Sequence, residues 1–206
     1  MKDGPMRNEL LTAFHRRHAS HSFTDRPLAD ADLDYVLEAG RLSPSAFGLE
    51  PWHFVVCQGA ADKAALQAAC FGQPQVGEAA AVIVILARVS ELAPDQPYTL
   101  RLLEREYPGE RLAGGLAMYR DFYAAVDVAA WSITQCHIAA ANMMTASAVI
   151  GLDSCPIGGY LPDAVAAAIQ ADPDRFRPAL VLALGYSNEA VPAKQRLGMD
   201  EIVTRR

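Results

Sequence analysis

The chain has 206 residues, 51% of them apolar, and a formal charge of −6, which is the length of one ordinary domain with ample material for a core. Its acidic residues form no block and its basic residues no stripe that would follow a phosphate backbone, so nucleic acid is not an expected partner. No apolar run follows the early basic residues of "MKDGPMRNEL", and neither the histidines nor Cys57, Cys70, Cys136 and Cys155 fall in a metal-ligand spacing, so we expect a cytoplasmic protein with reduced thiols, no membrane anchor and no metal centre.

From Asn8 to Arg17, Leu10, Leu11 and Phe14 recur at helical spacing and Arg16 and Arg17 gather at the far end, which predicts a first helix stopping there. "HASHSFTDRPL" has no period. A second helix follows, capped by Asp30 or Asp32, with Leu33, Val36, Leu37 and Gly40 on one face and Pro44 as its stop. Arg41 to Cys57, "RLSPSAFGLEPWHFVVC", breaks twice before a strand-like run, and a break of this kind shapes a backbone that has something to hold. "PWHFVV" and "AAAVIVILA" (Ala79 to Ala87) read as strands, the second so apolar that both faces must be covered. Ala124 to Ile150 is apolar on nearly every side. Asp127, Gln135, His137 and Asn142 would be costly in hydrocarbon, so it is read as a central helix between a sheet and a partner subunit. "RPALVLALGYS" supplies another strand, and the polar run after Gly185 is too poor in apolar residues for a core of its own. We expect one domain over residues 1–206, with 188–206 as a C-terminal arm. The order of elements indicates a layered α/β or α+β domain and names no function.

Four separated stretches carry more. "RRHASHSF" (Arg16 to Phe23), "SPSAFGLEPWHFVV" (Ser43 to Val56), "GLDSCPIGGY" (Gly151 to Tyr160) and "VPAKQRLGMDEIV" (Val191 to Val203) stand in an order and at distances that resemble the FMN-dependent nitroreductase family over nearly the whole chain. The resemblance implies an α+β fold in which a central mixed, mainly antiparallel sheet is flanked by helices and the C-terminal arm is exchanged in a homodimer. It also implies bound FMN, with NAD(P)H as electron donor. Hydride passes to the flavin, and nitroaromatics, quinones or related electrophiles then take the electrons in a two-step, ping-pong cycle.

The residues that match the family's flavin set are Arg17, His18 and Ala19 at the first motif, with Lys194 and Arg196 as the late basic pair. A phosphate carrying nearly two charges needs such forks or backbone N–H donors. Pro44, Ser45 and Gln135 match the part that approaches the ring, and Pro156, Ile157, Gly158 and Gly159 resemble the loop beside its N5 edge. No catalytic side chain is implied, because the flavin carries the chemistry. Phe122 and Tyr123, with Tyr119, either roof the acceptor site or simply pack as a helix face.

The chain also departs from the family pattern. His21 stands where Lys or Arg is common, Gln75 falls near a second family lysine with Gln73 beside it, and Ala19 replaces a common Ser. Gly48 and Glu50 fall where Asn and Gln are frequent, and Gly158 where a Glu often follows Pro-Ile. Rival readings keep the fold but reduce free flavin or a specific metabolite, or hold flavin without catalysis.

Overall fold

The computed structural model describes residues 5–206. Four strands form one sheet: β1 (Trp52–Cys57), β2 (Ala81–Arg88), β3 (Asp153–Ile157) and β4 (Phe176–Gly185), in the order β1-β2-β4-β3. All three pairings are antiparallel, with Trp52 opposite Ala87 and Asp153 opposite Gly185. A parallel element enters only as a single bridge between Ala19 and Ser154.

Strand alternation explains why β2 had to be apolar throughout. Ala81, Ile83, Ile85 and Ala87 face one core, shared with Met143, Ala139 and Val36, whereas Val82, Val84 and Leu86 face the other, shared with Leu66, Val76 and Val165. Each fully buried Ile or Val there contributes about 1.5–3 kcal/mol of transfer free energy. The first core lies under α2 (Asp30–Arg41) and α7 (Val128–Val149); the second lies under α3 (Ala60–Ala69), α4 (Pro74–Glu78) and α8 (Pro162–Ala168). The first helix, α1 (Pro5–Arg16), packs on α7 as well. A third cluster, around Leu49, Leu103 and the fully buried Tyr119, joins α5 (Pro97–Glu106) to α6 (Arg111–Ala125). The short helix α9 (Met199–Ile202) lies in the C-terminal segment, whose residues 188–206 are exposed apart from the half-buried Lys194.

Three expectations need correction. The N-cap of α2 is Ala29, without a side-chain bond, so Asp30 and Asp32 act in the first turn by complementing the helix dipole instead of capping it. The helix expected from Ala124 begins only at Val128. The Asp127 carboxylate accepts from the Ala129 and Ala130 amides at 3.0 Å, so it ends one element and starts the next. Pro156 and Ile157, expected in a loop, lie in β3; as the sheet's edge it tolerates a proline that can donate no ladder bond. Among the described residues no helix is long and apolar enough to cross a membrane.

Candidate functional site

Where the end of α1 meets the C-terminal segment, Arg17, His18, Ala19, Pro156, Pro192, Lys194 and Arg196 surround a pocket of about 460 Å³. The Lys194 ammonium donates to the Arg17 carbonyl. Its proton affinity is pushed below the ordinary lysine range by partial burial and then by the charges of Arg17 and Arg196. Among the described residues no carboxylate pairs with these three cations. Three like charges held together without a counterion form a ready receptor for an anion. Arg16, one residue earlier, does the opposite. It donates to the carbonyls of Ala148 and Gly151 and pairs with Asp153 at 3.1 Å, fixing the end of α1 to the end of α7.

Beside this cradle Ala19 is bridged to Ser154, Ser20 is fully buried, and the chain bends at His21, which is exposed like Ala19. The His21 backbone amide donates to Glu189 at 2.8 Å, and its ring Nδ1 lies 3.4 Å from the Gln75 amide nitrogen. Gln75 is buried and also reaches the Gln73 carbonyl oxygen at 3.1 Å, while Gln73 donates to the Cys70 and Gly159 carbonyls at 2.9 Å. His21, Gln73, Gln75 and Gly159 are thus joined beside the cationic pocket. Gly158 is exposed with open space where a side chain would stand. The Ile157 side chain is buried in the core, leaving only its backbone for a ligand.

The Pro44 and Ser45 turn lies elsewhere. It is tied to α7 through the Ala46 amide, which donates to Gln135 at 3.0 Å. Gln135 is thirteen residues before Ala148, where Arg16 binds, so at 1.5 Å per residue the two groups sit roughly 20 Å apart along α7. The turn itself is unusual: Phe47, Gly48 and Glu50 have φ of 57°, 60° and 42°, in the left-handed region. For the two that carry side chains this costs on the order of 1–3 kcal/mol each. The surroundings hold it. Phe47 packs 5.2 Å from Tyr119 and 5.1 Å from Phe122, the Glu50 amide donates to Ser45 Oγ, and Tyr98 donates to the Leu49 and Glu50 carbonyls. Arg105 clamps the Gly48 carbonyl and the Glu50 carboxylate at 2.9 and 2.7 Å. Phe122 and Tyr123 are half-buried against this turn and Trp131.

The four cysteines are free and buried, and burial raises every one of their thiol pKa values, Cys70 to about 11 and Cys136 to about 12. Such thiols are poor nucleophiles. Glu189, Pro192 and Gln195 are not among the expected site residues; Pro192 and Gln195 lie inside the fourth motif, whereas Glu189 has only its place in the polar arm.

An antiparallel sheet between two helical layers, with an uncompensated cationic cradle where the first motif meets the C-terminal segment, defines an α+β protein with a candidate anion receptor. The model described as the Nitroreductase family matches residues 15–186, and the chain belongs to that family. A Staphylococcus epidermidis relative, provisionally named an NAD(P)H nitroreductase, is 34% identical over 97% of each chain. A nitroreductase-like protein from Streptococcus mutans superposes with a TM-score of 0.85 at 23% identity, over 98% of this chain and 99% of that one. A structure of a provisionally named nitroreductase from Exiguobacterium sibiricum, solved in complex with FMN, gives 0.80 at 22% identity, over 96% and 97% of the two chains.

Proposed function

We propose that the protein binds FMN and uses NAD(P)H to reduce nitroaromatics, quinones or related electrophiles. The observation that carries this is the convergence of Arg17, Lys194 and Arg196 with no carboxylate among the described residues to neutralise them. A phosphate monoester fits that receptor, and the Exiguobacterium sibiricum neighbour was solved in complex with FMN. When bound, FMN would supply the redox chemistry in a two-step exchange between nicotinamide and acceptor. The chain's own part is to hold the phosphate through the three cations, to offer His21, backed by Gln73 and Gln75, to the pyrimidine edge, and to offer the Pro156–Gly159 backbone to the edge that takes hydride. Purified protein should be yellow, and NADH or NADPH should bleach the bound flavin in stopped flow. Bound flavin that neither nucleotide bleaches would make this a binding protein and not an enzyme.

We further infer a homodimer. Pro44, Ser45 and Gln135 belong to the implied flavin set, yet they sit along α7 from the phosphate cradle, so a second copy placed across α7 would bring its turn to this cradle. Three features support this reading. Leu10, Leu11 and Phe14 on α1 are exposed, as are Ile138 and Val149 of α7, on which α1 packs. Val191, Leu197, Met199, Ile202 and Val203 of the arm are exposed too. A groove of about 520 Å³ runs along β1, an edge strand, with Leu37, Trp52, Phe54 and Val56 to receive apolar anchors and Asp34, Glu38 and Arg41 of α2 to meet polar ones. Buried reduced thiols suit the cytoplasm.

A further inference from the structure

We propose that Gln73 and Gln75 form a relay that fixes the tautomer of His21 and presents its Nε2–H to the flavin as a hydrogen-bond donor; this rests on the FMN reading above. The argument is one of donors and acceptors. Gln73 has its amide nitrogen committed to two backbone carbonyls, those of Cys70 and Gly159, so its carbonyl oxygen faces the other way. That oxygen accepts from Gln75 at 3.1 Å, which sets the Gln75 amide nitrogen toward Gln73; its second hydrogen faces His21 Nδ1 at 3.4 Å, with the weaker acceptor Cys155 Sγ farther off at 3.9 Å. Turning Gln75 over would place oxygen against oxygen in a buried site and leave both without a donor. Nδ1 must therefore accept, and in the neutral ring the proton sits on Nε2.

The backbone holds the ring in place, since the His21 amide is bonded to Glu189 and neighbouring Ala19 is pinned to Ser154. His21, two residues after the cradle-lining Ala19 and likewise exposed, has no partner for its Nε2 among the described residues. Its N–H therefore waits for a ligand acceptor. A flavin that gains electrons accumulates negative charge on its pyrimidine edge, and a donor aimed there favours the reduced state. Where the family commonly uses a fixed cation, this chain uses an oriented dipole. His21 would touch the ring, whereas Gln73 and Gln75 are positioning residues that act through it.

The test is ring nitrogen NMR of His21 in the FMN-loaded and FMN-free protein, paired with the midpoint potential of bound FMN. We expect the Nε2–H tautomer in both forms. Gln75→Leu should blur that preference and make the potential more negative, and in a His21→Ala background the same substitution should shift the potential little. Gln75→Glu, nearly isosteric, should draw the proton to Nδ1 and serves if the leucine variant does not fold. A native Nδ1–H tautomer, or an equal potential shift with and without His21, overturns the proposal. Protein that takes up no FMN overturns the flavin reading and this role with it; FMN bound beside the wrong tautomer overturns only the relay.

Discussion

Lys194 shows what the cradle lacks. A cation between two arginines is unfavourable until an anion arrives, so binding should be strongly electrostatic. We expect Arg196→Ala to weaken FMN by about 10- to 150-fold, the equivalent of one charge-assisted contact worth ~1.5–3 kcal/mol. Fluorescence titration would measure it, and affinity in the native protein should fall as salt rises. Unchanged affinity in the variant would move the phosphate elsewhere. At this scale Arg17, Lys194 and Arg196 were legible in the sequence because their place in two motifs carried them. Glu189 was not: its contact is with a backbone amide 168 residues away, and an exposed Glu in a polar run gives no sign of that. The coupling of Gln73 to Gln75 was equally hidden, because it is set by the orientation of each amide, which no spacing encodes.

Elements were legible where one force dominated. The strand β2 could only be a strand covered on both faces, whereas the cap at Asp127 is masked by the apolar run on either side of it. The strand β3 escaped because its proline and the following glycines look like a loop; it is specified by pairing with β4 across the sheet, a tertiary cause. Two predictions belong to this scale. Glu91 braces the end of β2 to the start of β4, accepting from Arg88 and, at 2.8 Å, from Arg175. Burial alone would raise its pKa, but the two arginines outweigh burial and the net direction is downward. Its folded pKa thus lies below the unfolded value, so its stabilisation is present above the ordinary carboxylate range and is lost as pH falls through the lowered value. Glu91→Gln should be less stable than the native protein at pH 7, and chemical denaturation should find that gap closing in acid. In the other prediction, Gly115→Ala places a methyl group 2.5 Å from the Tyr107 ring where α6 folds back on α5. The ring is anchored too near its backbone to yield easily, and a loss of about 1–3 kcal/mol in unfolding free energy is expected.

For the whole molecule, the arm of residues 188–206 contributes two things at once, the cations of the cradle and a row of exposed apolar side chains. Truncation after Ser187 should therefore abolish both dimer and flavin, as size-exclusion chromatography with light scattering and an absorbance spectrum would show; a truncated dimer still loaded with FMN would refute the assignment. The composition of the arm marks it as too poor in apolar residues for a core of its own, but the landing place proposed for it is not legible there, because an open strand edge is a property of the assembled sheet. The distance along α7 between the Ser45 turn and the cradle has a genetic consequence. If every site draws one half from each subunit, Arg196→Ala and Ser45→Trp damage different halves. In a mixed dimer one site inherits both defects and the other inherits neither. Two alleles that are each inactive alone would then complement when co-expressed, whereas the two substitutions placed on one chain and mixed with the same doubly altered chain would not.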